Sequence, residues 1–272
     1  MCTDFDLVLQ FIASRASCGP AIIVFADSPY RAVIRNWIGY AQASGVVNIV
    51  IIALDEALAT EMRESGIACV ELPPVGSLEG LWIIRARLFA ALCRANVDFI
   101  HSDADAIWLR NPVERAFGFD VDISFSQGTV WPSDIAVQWG FVVCCGFFAV
   151  RGSLRTSKYF EAVASLTENE NDDQIAANRV LDTTGVKWRL PEVRRIRSLN
   201  DQVFFTFDEP LFGYSEALTA VLLPHYEFSR MPELPNKVYV AHPLSAKTSI
   251  SKINMLRQLG LWAFGDIPRT PM

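Results

Sequence analysis

The sequence lacks most of the short patterns that announce a chemistry on their own. Its glycines match neither G-x-x-x-x-G-K-[ST] nor G-x-G-x-x-G, so no backbone loop is set up to cradle a phosphate. A phosphate-bearing ligand must then be held by a metal or by basic side chains. No G-x-S-x-G and no H-E-x-x-H occurs, which removes nucleophile-elbow hydrolases and helix-borne zinc proteases. The six cysteines (Cys2, Cys18, Cys69, Cys93, Cys144, Cys145) form no C-x-x-C pair and no zinc spacing. Scattered thiols of this kind fit a reducing compartment, and a cytoplasmic protein is expected. The start, Met1 to Asp6, has no basic n-region of a secretory signal. The longest apolar stretches are too short, or are broken by Asn48 or Gln138, to span a bilayer. Positive charge is scarce: 24 Lys and Arg stand against 30 Asp and Glu, a net charge of −6, so no broad basic surface for nucleic acid is expected. Histidine is limited to His101, His225 and His242.

What is present is apolar and ordered. The 272 residues are 51% hydrophobic and 20% charged, enough for a substantial core and too little charge for a disordered chain. No repeat, low-complexity tract or linker divides it. Helical spacing is read over Leu7–Ala16, Pro29–Ala43, Asp55–Glu64 and Leu78–Arg94. Short apolar runs between them, at Ala21–Phe25, Val46–Leu54, Ile67–Leu72 and Val97–Ser102, read as buried strands. This alternation predicts a mainly parallel sheet covered on both faces. The second half is less regular. Asp120–Phe125, Phe141–Arg151, Ala220–Leu223 and Lys237–Ala241 read as strands, Asn171–Leu181 and Thr248–Leu259 as helices.

The most informative stretch follows the fourth strand: His101-Ser102-Asp103-Ala104-Asp105, then Ala106-Ile107-Trp108-Leu109-Arg110-Asn111-Pro112. In an extended chain residues i and i+2 share a side, so Asp103 and Asp105 would present their oxygens together. Like charges framed by apolar residues on both sides call for a divalent cation, and oxygen ligands suit Mg²⁺ or Mn²⁺. A polar turn after the strand is the plainer alternative. Ligands of open α/β sheets bind beyond the carboxyl ends of strands, where this pair falls. His242, after a late strand, is a candidate third ligand that would favour Mn²⁺, and His101 a reserve one. Lys247 would then offer a point charge to a phosphate. Arg85 and Arg87 lie on an otherwise apolar helix, where they either snorkel outward or pair with an aspartate near the site. Gln174 and Asn178, i and i+4 after Asp172-Asp173, read locally as a capped helix start with a polar wet side. Asp201-Gln202 is a similar pair, and nothing local decides between them.

Taken together these segments resemble retaining, metal-dependent nucleotide-sugar glycosyltransferases of the GT-A fold. The likeness is greatest to the family 77 nucleotide-diphospho-sugar transferase group, with family 8 galactosyltransferases as relatives, and it runs from about Ala21 to Trp262. Asp103 to Pro112 matches the family's D-x-D-x-x-W-L-R-x-P. Cys145-Gly146-Phe147 with Arg151 resembles C-x-G-F-x-x-x-R, Asp173-Gln174 with Asn178 resembles D-Q-x-x-x-N, and His242 with Lys247 resembles the C-terminal His and Lys. Val24 to Tyr30, Asn36-Trp37 and Leu54-Asp55-Glu56 are also similar to the group. The chain departs at Ser245, where family 8 has Gly, at Lys247, which comes one residue early, and at Cys144, where family 8 has Asn.

The resemblance implies an α/β/α sandwich on a Rossmann-like, mainly parallel mixed sheet. A single domain would span 1–272, with a nucleotide-binding half at about 20–112 and an acceptor or catalytic half at about 113–265. Ala26, Asp27 and Tyr30 would meet the nucleoside, and Arg85, Asp103 and Lys247 the donor diphosphate. Asp103, Asp105 and His242 would hold Mn²⁺ or Mg²⁺, and Asp173 and Gln174 would be catalytic, with Gln174 beside the anomeric carbon. The partners implied are a UDP-linked sugar donor and a glycan or other hydroxyl acceptor. A metal-dependent phosphohydrolase and a silent sugar-nucleotide binding module remain as alternatives, and donor sugar and oligomeric state stay open.

Overall fold

The computed structural model describes residues 4–72, 75–230, 237–244 and 246–265. The elements in chain order are α1 (Asp4–Ala13), β1 (Ala21–Ala26), α2 (Arg31–Ala43), β2 (Ile49–Ala53), α3 (Glu56–Glu64), β3 (Cys69–Glu71), α4 (Leu78–Arg94) and β4 (Phe99–Ser102). They continue with β5 (Ile107–Trp108), α5 (Val113–Phe117), β6 (Ile123–Gln127), α6 (Ser133–Trp139), β7 (Val143–Val150), α7 (Leu154–Glu170) and α8 (Asp173–Thr183). The remainder is β8 (Lys187–Trp188), β9 (Arg195–Leu199), β10 (Gln202–Thr206), β11 (Leu211–Tyr214), β12 (Thr219–Leu222), β13 (Phe228–Ser229), β14 (Val240–Ala241) and α9 (Ser249–Gln258).

Nine strands form the central sheet in the order β3-β2-β1-β4-β7-β6-β12-β11-β8. Tracing the pairings across it, only β7 and β11 run against the other seven. This is the mainly parallel sheet that the alternation of strand and helix predicts, mixed as the resemblance implies. Its strands are buried on both faces, so β1 and β2 read as unbroken apolar runs rather than as alternating ones. Along β1, Ala21 and Ile23 enter one core, which α1, α4, α7 and α8 cover. Ile22, Val24 and Ala26 enter the other, which α2, α3 and α9 cover.

The first half follows the sequence reading to within a few residues. Asp55 and Ser77 cap α3 and α4 by accepting from Leu58 N and Gly80 N, so each helix starts just after a residue suited to that role. The second half holds elements the apolar pattern did not announce. The largest is α7, which Ser153 and Thr156 start with a reciprocal capping box and which packs against α4. The hairpin β9–β10 stands apart as a two-stranded sheet. A small sheet, β13-β14-β5, pairs Val240 with Trp108 and Ala241 with Ile107. It ties the chain just after Asp105 to the chain just before His242. Among the described residues no helix is long and apolar enough to cross a membrane.

Candidate metal and ligand site

The strand β4 ends at Ser102, and Asp103 to Ala106 form a turn, closed by Ala106 N donating to Asp103 O at 3.0 Å. The backbone is therefore the polar turn of the plainer reading, not the extended chain whose pleat would align the two carboxylates. Their convergence has another origin, because the turn is anchored from below. Trp37 Nε1 donates to Ala106 O at 2.9 Å and Trp108 Nε1 donates to Ser102 Oγ at 3.1 Å. Asp103 N donates to Gly146 O on β7 at 2.7 Å. Two buried indoles and a neighbouring strand thus hold the loop where its side chains turn upward.

Above the turn, His242 Nε2 lies 3.8 Å from Asp103 Oδ2 and 3.6 Å from Asp105 Oδ1. Among the described residues this is the one cluster whose ligand atoms are placed to share a metal ion. Gly146 makes room for it. A Cβ there would lie 2.1 Å from His242 Cε1 and 2.7 Å from Asp103 Oδ2, so any side chain would break the cradle. Two carboxylates and one imidazole in that cradle fit Mn²⁺ or Mg²⁺.

Electrostatics keep the acids ionised. Burial opposes charge on Asp103, but the Arg85 guanidinium beside it outweighs burial and holds the carboxyl well below the usual range. Burial likewise opposes charge on Asp105, and His242 and Lys252 bring it down to about 2. For His242 burial and Arg230 press downward, while Asp105 raises it to a net position above the ordinary imidazole. At Cys144 burial raises the thiol, yet Arg230 and His242 bring it to about 7.

Arg85 resolves one open alternative. It is buried and does not snorkel outward. Its Nε donates to Asp173 Oδ2 at 3.0 Å, its Nη2 bonds the same oxygen, and its Nη1 reaches Asp103 Oδ1 at 3.3 Å. Arg87 instead pairs with Glu168 at the surface. Arg85 Nη1 also lies 3.2 Å from His101 Nε2, while His101 Nδ1 lies 3.2 Å from the carbonyl of Ile23. These contacts are satisfied by a neutral ring that donates from Nδ1 and accepts at Nε2. His101, the reserve ligand, is therefore a buried prop for the guanidinium and is not in the metal cluster.

Burial, then Arg85, lower the His101 pKa to about 4. Protonation then favours the unfolded chain between an ordinary value near 6.5 and that depressed one. The contribution is complete above pH 6.5, falls as pH drops towards 4, and changes no further below it. We expect this single ring to remove about 3 kcal/mol of stability over that interval. Thermal unfolding followed against pH, with His101→Gln flattening the slope, is the measurement.

The helix start at Asp172 divides its labour. Asp172 is the cap, accepting from Gln174 N at 2.9 Å and Ile175 N at 3.1 Å, and its Oδ2 lies 3.7 Å from Lys247 Nζ. Asn178 is fully buried rather than on a wet side. It donates to Val143 O at 3.0 Å and accepts from Val143 N at 2.9 Å, fixing the start of β7. Gln174 donates to Trp131 O at 2.6 Å and lines the cavity. Asp201 and Gln202 are exposed at the β9–β10 turn and do not line it.

The cluster opens on one cavity of about 640 Å³. Ala26, Asp27, Tyr30, Arg85, Asp103, Asp105, Asp173, Gln174, His242 and Lys247 all line it. Asp27 accepts from Tyr30 N at 3.1 Å, and Tyr30 Oη donates to the carbonyl of Lys247 at 2.9 Å, so the rim after β1 meets the loop after β14. Lys247 Nζ sits 4.5 Å from the centroid of the Trp82 ring. Ser245, the departure from the family 8 pattern, falls outside the described residues.

Two cavity residues escaped the sequence reading. Lys252 bonds Asp105 Oδ2, and Arg230 Nη1 lies 2.5 Å from His242 Nδ1. Neither sits in a motif. The only signal for Lys252 was its place in the first turn of a helix that follows His242.

A family profile described as nucleotide-diphospho-sugar transferase matches residues 44–237, more than half of the chain. The chain belongs to that family. The matched region contains Asp103, Asp105, Asp173 and Gln174, and His242 lies just beyond it. No curated protein matches the sequence. Among solved structures, the apo bifunctional glycosyltransferase WbbM aligns at 9% identity and TM-score 0.45 over 59% of this chain and 37% of its own. The galactosyltransferase LgtC with donor and acceptor sugar analogs aligns at 13% and 0.45 over 58% of this chain and 69% of its own. Mouse xyloside xylosyltransferase 1 aligns at 10% and 0.43 over 60% of this chain and 81% of its own. This member of the nucleotide-diphospho-sugar transferase family thus spans little more than a third of WbbM. Its assignment rests on the profile.

Proposed function

We propose that this family member moves a sugar from a nucleoside diphosphate sugar, UDP-linked by preference, to a hydroxyl acceptor with retention at the anomeric carbon. The carrying observation is the meeting of Asp103, Asp105 and His242 at one cavity that also holds Arg85, Lys247 and Gln174. In this reading Asp103, Asp105 and His242 would hold Mn²⁺ or Mg²⁺, which when bound would supply positive charge to offset that of a diphosphate leaving group. Lys247 stands at the rim beside Asp172 as a point charge for the same phosphates, while Arg85 is fixed by Asp173. Ala26, Asp27 and Tyr30 line the end that receives the nucleoside. The half at about 20–112 would serve the nucleotide and that at about 113–265 the acceptor.

Retention is favoured by how the cavity acids are used. An inverting transferase needs a free carboxylate to take the acceptor proton opposite the leaving group. Here Asp172 caps α8, Asp173 is bound to Arg85, Asp27 accepts from Tyr30 N, and Asp103 and Asp105 face His242. A leaving phosphate oxygen can take that proton on the same face. The amide oxygen of Gln174 is suited to steady the positive charge of an oxocarbenium-like sugar. Asp173 then acts by holding Arg85. Membership of the family 77 group and a cytoplasmic setting, consistent with the scattered thiols, complete this reading.

The test is a panel of UDP- and GDP-sugars with Mn²⁺, following nucleotide release with and without acceptor alcohols. Release that requires an acceptor, stops on chelation, and returns with Mn²⁺ at least as well as with Mg²⁺ is expected. Release without any acceptor requirement would favour the hydrolase. An intact donor after long incubation, despite tight binding, would favour the silent module.

A further inference from the structure

Both carboxylate ligand candidates turn one oxygen inward and give the other to a cation. Asp103 Oδ2 and Asp105 Oδ1 face His242 Nε2. Their outward oxygens are occupied: Asp103 Oδ1 by Arg85 at 3.3 Å and Asp105 Oδ2 by Lys252. Lys252 is an unusual partner. Its side chain is only 16% exposed, and it reaches back into the cavity from the first turn of α9. A lysine this buried has given up hydration for one contact.

The charges nearly cancel. Asp27, Asp103, Asp105, Asp172 and Asp173 meet Arg85, Arg230, Lys247 and Lys252 around one cavity. A divalent cation alone therefore enters an enclosure with little net negative charge, close to three fixed positive groups. Opposite and like charges a few ångströms apart in such a setting interact by several kcal/mol. A diphosphate brings the missing negative charge, and the same cations that repel the metal attract it.

We propose that Lys252 positions Asp105 as a one-oxygen ligand and makes metal capture depend on the nucleotide diphosphate, an inference that rests on the transferase reading above. The pair enters together because each offsets the charge that excludes the other. By thermodynamic reciprocity, metal and nucleotide must then strengthen each other's binding by the same factor.

The experiment measures Mn²⁺ affinity of the whole chain by titration calorimetry and by the electron paramagnetic resonance of free Mn²⁺, with and without UDP. Wild-type protein is compared with Lys252→Met, Lys252→Gln and Lys252→Arg. In the wild type UDP should tighten Mn²⁺ by about 30-fold or more, within the ordinary range of couplings between sites. Lys252→Met should bind Mn²⁺ alone about tenfold more tightly and lose about tenfold of the UDP coupling. Lys252→Arg keeps the charge and should keep the coupling. Should Lys252→Met unfold, the Gln and Arg variants make the same comparison, since both retain a hydrogen-bond donor. Coupling that is unchanged in the Met or Gln variant, or Mn²⁺ binding weakened in the absence of UDP, overturns the role of Lys252 and leaves the transferase reading standing. A wild type that binds no Mn²⁺ even with UDP overturns the metal in that reading and this inference with it.

Discussion

Asp105→Asn and, separately, Asp103→Asn should lower sugar transfer by about a thousandfold or more while the protein stays folded. The two carboxylates lie on a turn that other groups hold in place. Trp37 and Gly146 bond the backbone around it, Trp108 bonds the Ser102 hydroxyl, and none of those bonds uses a carboxylate oxygen. An amide keeps the shape of the side chain and removes its charge. On the proposed reading, what is lost is an anionic metal ligand beneath the diphosphate, an electrostatic contribution of several kcal/mol. Turnover of the donor found by the panel, together with the thermal midpoint of each variant, is the measurement. Near-normal turnover in either variant would remove metal-held diphosphate from the mechanism.

Arg85→Met should do the opposite, damaging the fold as much as the chemistry. Arg85 satisfies Asp173, Asp103 and His101 from one buried position. Its removal leaves Asp173 buried, where burial already pushes its carboxyl upward against the pull of Arg85. Breaking one side of a buried pair costs about 3–5 kcal/mol, because the remaining charge has no partner. Arg85→Lys should recover little, since an ammonium lacks the planar fork that reaches three groups. Asp173→Asn added to Arg85→Met should restore part of the stability by removing the orphaned charge. Chemical denaturation of the three variants measures this, and a double variant no more stable than Arg85→Met would count against the pairing argument.

Much of the first half was legible because parallel strands buried on both faces announce themselves as apolar runs, and their helices carry caps such as Asp55 and Ser77. Among the later strands β12 and β14 overlap the runs read at 220–223 and 237–241, but β8, β9, β10, β11 and β13 are two to five residues long and β9 is largely exposed, so no such run marks them. The helix α7 hid for a different reason: Ser153 and Thr156 cap it without the Glu or Gln that makes a capping box stand out in a sequence. At the site, spacing found Asp103 and Asp105 but not the backbone between them, a turn whose aim is set by Trp37 and by Gly146 far along the chain. The choice between Gln174 and Gln202 could not be made locally, because it depends on which helix or hairpin faces the cavity. Lys252 and Arg230 were invisible for the same reason. A cation on an unremarkable helix turn has no local pattern, and its meaning comes from the acid it happens to meet.

The small sheet joining Val240 to Trp108 has a consequence for how the protein is made. The two aspartates leave the ribosome long before the histidine that completes their triad, since residue 105 is translated well ahead of residue 242. A half-finished polypeptide thus carries only the two acids of the cluster. The cation site of the proposed reading is complete only when β14 pairs beside β5 and brings the imidazole over the turn.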